Sequence, residues 1–468
     1  MLPVQSPNTQ PHSAASWLAE LRATAQLALP LIMANILMIL VNATDVLLLG
    51  HVGPQTLAAA AIGTGLTWAI TLFGIGLVTS SAALISAELG RRRHAVREVR
   101  RTVRQTFWAA ALIAIPILIA LWFAGPIMRA MGEPVQLAAD TTRYVRAFEW
   151  GVVPVLGTVV LRCFMASLER PQWVVGVGVA TVLLNAFVNW TLIFGHFGLP
   201  AMGLLGAGIG SSVVNLLSFG ALATVAVRLR PFRRYHIFGR FWRADWRRFA
   251  DVWRVGTPIG LQFGFESCIF GLAIVLMGYF GTVSVAAHAV AIQIASMTFM
   301  VPMGVAQAAT VRVGHSYGAN NTAGIARAGW VAYLLGVGFM IMMAVLLWTI
   351  PALLVGLFID PANPANHETF ALAIRFLMVA AAFQIADGGQ VVGAGVLRGL
   401  QDTRMPMIFA LLGYWVFALG IGTALGFWAH WGGVGIWIGL ALGLGIVALM
   451  MLARWLLRAR LGLLRLTA

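Results

Sequence analysis

Residues 27–50 read LALPLIMANILMILVNATDVLLLG, an apolar run whose one ionisable side chain is Asp45. A helix rises 1.5 Å per residue, so a run of this length exceeds a hydrocarbon core about 30 Å thick. The rest of the chain repeats the pattern. Of 468 residues, 60% are hydrophobic and 10% charged, and the mean hydropathy is +0.88. A soluble chain has roughly 45–50% apolar and about 25% charged residues. These proportions exclude a soluble enzyme, a disordered chain and a secreted disulfide scaffold. Unbroken apolar runs also exclude an outer-membrane barrel, whose strands alternate every second residue. The sequence predicts an all-α integral membrane protein.

Twelve such segments can be marked, at 27–50, 57–88, 107–130, 147–168, 172–194, 203–227, 256–278, 285–311, 328–352, 373–397, 405–427 and 433–456. Arginines give the orientation. Arg91 to Arg104 holds seven and Arg228 to Arg254 holds nine; with Arg22, Arg170, Arg312, Arg327, Arg398, Arg404 and four near the C-terminal end, 26 fall on one side. Arg129, Arg143, Arg146 and Arg375 are the 4 on the other. Basic loops stay inside, so both termini are expected in the cytoplasm of a cell inner (cytoplasmic) membrane. The polar start, Met1 to Ser16, has no basic n-region, and no cleaved signal peptide is expected.

The chain also aligns with itself. At an offset of 228, Pro30 meets Pro258, Gly50 meets Gly278, Gly53 meets Gly281, Ala58-Ala59 meets Ala286-Ala287, Gly76 meets Gly304 and Gly90 meets Gly318. Each half has an even number of spans, so the repeats run parallel, related by an axis along the membrane normal. The expected organisation is twelve transmembrane helices in two parallel-repeat six-helix lobes. Residues 1–26 read as a cytoplasmic N-terminal segment, 27–227 as the N-lobe and 228–255 as a cytoplasmic linker. Residues 256–456 form the C-lobe and 457–468 a cytoplasmic tail. Two hinged lobes suit alternating access about a central site.

Composition excludes much chemistry. All 31 basic residues counted as Lys+Arg are arginine. Without lysine there is no P-loop phosphate anchor and no Schiff base. Transport would draw on an ion gradient or a separate subunit, and no cofactor is expected. The net charge of +16 sits in short loops, where it sets topology; nucleic acid is not an expected partner, whereas membrane lipid is. Cys163 and Cys268 lie in apolar runs and read as inert buried thiols. Glycines spaced by four, as at Gly206/Gly210 and Gly435/Gly439, read as close helix packing.

Three acids stand well inside apolar spans: Asp45, Glu266 and Asp387. An acid at the bilayer centre costs about 2.5–3.5 kcal/mol on insertion scales, which points to use. Such a group can hold a proton, hold Na⁺ beside neutral oxygens, or neutralise a cationic passenger; shared use of one carboxylate makes exchange a competition. The bland alternative is a carboxyl bonded to neighbouring helices only to fix packing. Asn185 and Asn189 share a helix face at i, i+4. They either supply oxygens to a cation near Asp45 or cross-link helices. Asn35 and Asn42 read as packing groups, as do Gln307, Gln384 and Gln390, with cavity lining the alternative for the glutamines. Glu88 and Glu149, at segment ends, read as topological. Arg162 is expected to pair with an acid or reach water, and His288 to be a packing group at a segment entrance.

Residues 257–270, TPIGLQFGFESCIF, together with AAHAVA at 286–291 and DGGQVVGAGVLRGLQDTR at 387–404, resemble the multidrug and toxic compound extrusion family in its NorM branch. Pro302-Met-Gly, Val311-Arg-Val-Gly-His315, Pro30 and Asp45 with Gly50 and Gly53 fit the same pattern, over nearly the whole chain. The resemblance implies an efflux antiporter, not an enzyme, exchanging Na⁺ or H⁺ for small cationic, amphipathic drugs and dyes, and acting as a monomer. By the same resemblance, Glu266 and Asp387 are the C-lobe cation and substrate carboxylates, and candidate Na⁺ ligands. Asp45 is the N-lobe carboxylate, with Asn185 and Asn189 as its polar partners. Phe383, one turn before Asp387, stands where some relatives have Tyr, which weakens the Na⁺ reading more than the transport reading.

Two rival readings differ in kind. A lipid-linked oligosaccharide flippase of the same superfamily needs a cationic cavity for a pyrophosphate, whereas the midplane charges here are acidic. An integral-membrane enzyme needs a clustered nucleophile, metal site or acid–base motif at one membrane surface, and the sequence offers none.

Overall fold

A computed structural model describes residues 14–91, 95–130, 132 and 134–464. Most of the polar N-terminal stretch, Arg92, Arg93 and Arg465 lie outside the described residues. Twelve helices are long and apolar enough to cross a membrane. They are α1 (Ala15–Gly50), α2 (Pro54–Arg91), α3 (Val96–Trp122), α4 (Val135–Ser167), α5 (Gln172–Phe194) and α6 (Gly203–Arg228), then α7 (Trp246–Gly278), α8 (Thr282–Gly318), α9 (Thr322–Thr349), α10 (Pro364–Gly399), α11 (Arg404–Trp428) and α12 (Gly432–Leu456). The protein is an all-α, multi-pass membrane protein with two six-helix repeats.

Helix ends respect the internal offset. α1 ends at Gly50 and α7 at Gly278; α2 starts at Pro54 and α8 at Thr282. The turns between them hold Gly53 at φ +151° and Gly281 at φ +96°. A side chain would be strained in that region, which is why glycine recurs at both repeats. Two helices extend well beyond their apolar runs. α1 begins at Ala15, inside the stretch read as an N-terminal segment, and α7 begins at Trp246, inside the stretch read as a linker. Asp245 caps α7 by accepting from the Arg248 N–H at 3.3 Å; capping satisfies a backbone donor that hydropathy does not register.

The core divides into two clusters. One gathers α7–α12 around Phe376, Trp437 and Leu444, and also takes Leu27 and Leu31 from the first half of α1. The other gathers α2–α6 around Leu77, Val103 and Phe164, and takes Val252, Val255 and Ile259 from α7. Each half thus grips the base of the other half's first helix.

The contact between halves is reciprocal. A Cβ on Gly76 would lie 2.9 Å from the Gly260 nitrogen, and one on Gly304 would lie 2.9 Å from the Ile32 nitrogen. Gly90 packs on the His315 carbonyl while Gly318 packs on the Ala87 carbonyl. Each second pair is the first with its members exchanged and shifted by 228, the signature of a two-fold relation. These contacts run from the middle of α1 and α7 to the ends of α2 and α8, hence through the half of the bundle that carries the termini. Lipid offers apolar groups no drive to leave it, so such helix contacts depend on close van der Waals approach, which small residues permit.

Candidate functional site

Asp45 lies near the end of α1, the one acid in that helix's apolar run. From α5, Asn185 Nδ2 donates to Asp45 Oδ1 at 2.7 Å and Asn189 Nδ2 to the same oxygen at 2.6 Å. Ser211 Oγ of α6 donates to Oδ2 at 3.5 Å. Both asparagines are fully buried. Charge-assisted bonds of this length are the strong kind, and three donors on one carboxyl fix its position. The i, i+4 spacing of the asparagines, read from sequence, does bring both to one carboxylate.

Their orientation departs from the expectation of oxygen ligands, because the amides turn nitrogen toward Asp45. Asn185 Oδ1 accepts from Asn189 at 3.2 Å, and Asn189 Oδ1 lies against Gly210 with no hydrogen-bond partner among the described residues. An acceptor-only carboxylate selects the amide's donor end. The same arrangement joins α1 to α5, which is the cross-linking alternative for these asparagines. Tyr144 completes the wall, its hydroxyl 3.1 Å from Thr64 Oγ1. Ser211, Tyr144 and Thr64 escaped sequence reading because uncharged polar residues are common in membrane helices.

Asp45 borders a cavity of about 180 Å³ enclosed by α1, α2, α4, α5 and α6. Thr67, Thr71, Asn215 and Ser218 add polar groups to its wall, and Trp68 and Phe148 add aromatic faces. That volume is ample for several waters.

The other two acids, Glu266 and Asp387, lie in the C-terminal half. Asp387 of α10 is 6% exposed, and its Oδ1 has no partner among the described residues. Gln384, one turn earlier, is buried with neither amide atom partnered, and Gln390 leaves Oε1 unpaired. Glu266 of α7 lies within electrostatic range of Asp387. The orphaned oxygens, all on α10, suit a small cation or proton; among the described residues no group of three or more His, Cys, Asp or Glu side chains comes together.

Two groups missed by the sequence join this cluster. Arg398, counted among the loop arginines, is buried in α10; it donates to Gln262 Oε1 at 3.1 Å and stands 4.9 Å from the centre of the Phe263 ring. Tyr414 of α11 is fully buried, its hydroxyl is unpartnered among the described residues, and it is in electrostatic range of Glu266, Asp387 and Arg398. Phe383 packs against Phe270 and Trp437, with ring centroids 6.1 and 5.7 Å away. The hydroxyl absent at Phe383 therefore has a counterpart on another helix.

Other sequence readings need correction. Glu88 is buried and accepts from Arg248 at 3.0 Å, and Glu149 is 3% exposed; neither snorkels to water. Cys268 is exposed and Cys163 is partly so, where buried thiols were expected. His288, by contrast, is buried beside Trp437, 5.4 Å between ring centres, as a packing group should be. Arg162 meets no acid among the described residues.

At the terminus-bearing end, ion pairs tie the halves together. Arg312 of α8 donates to Glu20 of α1 at 2.7 Å and to Glu169, in the turn after α4, at 2.6 Å. Arg248 of α7 bridges Glu88 of α2 and Glu98 of α3, at 3.0 and 2.8 Å. His315 and the Arg312 guanidinium hold the Glu169 carboxyl down at about 2, and Arg101 holds Asp245 below the usual carboxylate range.

A twelve-helix bundle of two repeats, closed at one end and carrying intramembrane carboxyls in each half, defines a membrane transporter. The MatE family model matches residues 30–191 and 258–423, once in each repeat, and the chain belongs to that family of transporters. It is 48% identical over 446 residues to a probable multidrug resistance protein NorM of Mesorhizobium japonicum, covering 95% of this chain and 96% of that one. It is 47% identical over 439 residues to a protein of the same description from Brucella suis, covering 94% and 93%. Its fold matches the crystal structure of a eukaryotic MATE transporter, AtDTX14, with a TM-score of 0.84 at 19% identity, over 94% of this chain and 96% of that one.

Proposed function

We propose that the protein is a multidrug efflux antiporter of a bacterial inner membrane, exporting small cationic amphipathic compounds in exchange for Na⁺ or H⁺. The observation that carries this reading is an acidic site inside each half, half-buried at Asp45 and Glu266 and buried at Asp387. Asp45 is held by Asn185 and Asn189 beside a cavity, and Glu266 with Asp387 lies among unpartnered polar atoms. A carboxyl in such surroundings attracts any mobile cation that reaches it, and a passenger and a coupling ion cannot both neutralise it at once. Binding of one then favours release of the other. The NorM relatives, described as probable multidrug resistance proteins, support a drug as passenger.

The arginine asymmetry supports cytoplasmic termini. On that reading the present conformation is closed to the cytoplasm, and alternating access requires the ion-paired end to open. Three intramembrane acids against Arg162 and Arg398 leave the interior without the net positive charge that a pyrophosphate-carrying flippase needs.

Transport of ethidium into proteoliposomes, with Na⁺ and pH gradients imposed separately, tests the reading. Glu266→Gln and Asp387→Asn are each expected to abolish gradient-driven uptake while leaving insertion intact, and Asp45→Asn to impair it at least tenfold. Wild-type rates in the first two variants would remove both acids from coupling.

A further inference from the structure

We propose that Arg162 is a specificity-determining residue that anchors the anionic end of a dipolar passenger in the N-terminal cavity. The proposal deepens the efflux reading and rests on it. Arg162 projects from α4 and lines the same cavity as Asp45. Its guanidinium donates to Asn35 Oδ1 at 2.9 Å and to Met38 Sδ at 3.0 Å, both on α1. Neither partner carries charge, and no carboxylate among the described residues lies within ion-pair distance. These two bonds leave most of the five guanidinium N–H donors for another acceptor.

Asn35 lies behind the cavity wall and positions the guanidinium. It is 2% exposed, its oxygen is committed to Arg162, and its own Nδ2 has no partner among the described residues. The remaining guanidinium N–H groups and their fixed positive charge, at the cavity wall, suit an oxyanion. An unpaired charge in an oily interior is costly, so an arginine kept there without an acid points to a partner that comes and goes.

Asn35 and Met38 precede Asp45 by ten and seven residues on the same helix. The cationic and anionic ends of the cavity are therefore about 10–15 Å apart along the axis. That is the span of a tricyclic aromatic dye. Trp68, Tyr144 and Phe148 line the cavity and offer faces to such a body. The site fits an aromatic zwitterion with its amine toward Asp45 and its carboxylate toward Arg162.

The test compares rhodamine 110, a free benzoic acid, with rhodamine 123, its methyl ester, by fluorescence anisotropy with the purified full-length protein. The native chain is expected to bind the acid at least as tightly as the ester. Arg162→Gln should weaken the acid about tenfold and move the ester less than about twofold, as loss of one charge-assisted contact would do. Arg162→Lys should keep most of the acid's affinity. Equal shifts for acid and ester in Arg162→Gln, or none for either, would overturn the proposal. So would a native chain that binds the ester tenfold more tightly than the acid, a result that needs no variant to fold. Failure of the native chain to bind the ester would instead count against drug binding itself.

Discussion

At the residue scale, Asp45 shows what an apolar run reveals and conceals. A lone acid in such a run stands out, and two asparagines four apart announce a shared helix face. Ser211, Tyr144 and Thr64 come from other helices and carry no signal of charge or spacing. Arg398 was misread for a related reason: close in sequence to the loop arginine Arg404, it is buried in α10. The Asn185–Asn189 pair makes a sharp prediction. Asn189 Oδ1 faces Gly210, where any Cβ would collide with it. Gly210→Ala is therefore expected to push the amide off Asp45 and reduce ethidium transport about as much as Asn189→Leu does, roughly tenfold, since a charge-assisted bond of this kind is worth about 1.5–3 kcal/mol. Membrane expression should be unchanged in both. Wild-type transport in Gly210→Ala would mean that the asparagine's contact with Asp45 has no part in transport.

At the element scale, helix number and order follow from hydropathy, but helix form does not. α11 contains two π-helical stretches, Leu412–Ala418 and Ala424–Trp428. Small residues explain where they occur. Gly443 and Gly439 of α12 press against Ala418 and Gly422 of α11, and Gly435 packs on Gly426. Periodicity over one helix cannot report a neighbour's backbone, so the sequence reads α11 as an ordinary span. π-helical turns are frequent at functional sites, and the first of these carries Tyr414 beside the C-terminal acids. Its hydroxyl, unpartnered among the described residues, contributes little to stability, so Tyr414→Phe is expected to change the melting temperature hardly at all, within about 0.5 kcal/mol. Turnover should nevertheless fall severalfold, because the hydroxyl is in range of Glu266 and Asp387. Unaltered turnover with unaltered stability would leave Tyr414 a packing residue only.

At the scale of the whole molecule, the two-fold offset was legible in the sequence, yet the interface it generates was not. Glycine matches between repeats say that the halves are alike; only the fold reveals that Gly76 and Gly304, or Gly90 and Gly318, each oppose the other half. The ion pairs break this symmetry in an informative way. Glu20 at the base of α1 corresponds by the offset to Arg248 at the base of α7. An acid and a base thus occupy equivalent positions, and each finds an opposite charge on the other half: Arg312 for Glu20, Glu88 for Arg248. Such a clasp can hold the terminus-bearing end shut and still let go, because its members remain hydrated when parted.

Removing Arg312 should loosen the clasp without disturbing either core. Its bonds to Glu20 and Glu169 are partly buried and charge-assisted, so their loss weakens the closed form by about 1.5–3 kcal/mol. That is roughly ten- to a hundredfold in the ratio of closed to open molecules. Spin labels at Arg97→Cys and Asn320→Cys, in a chain with Cys163 and Cys268 changed to Ser, span the two halves at this end. Arg312→Gln is expected to add a longer-distance population absent from the parent. Acid should do the same by a different route. Glu169 has its carboxyl lowered from 4.5 to about 2 by His315 and Arg312, so its contribution is whole above pH 4.5 and disappears as pH falls toward 2. Through Glu169 the distance distribution should thus hold constant from pH 8 to 5 and lengthen only below that. A distribution identical in Arg312→Gln and parent would show that packing at the glycine contacts alone keeps this end closed, with the charges as passengers.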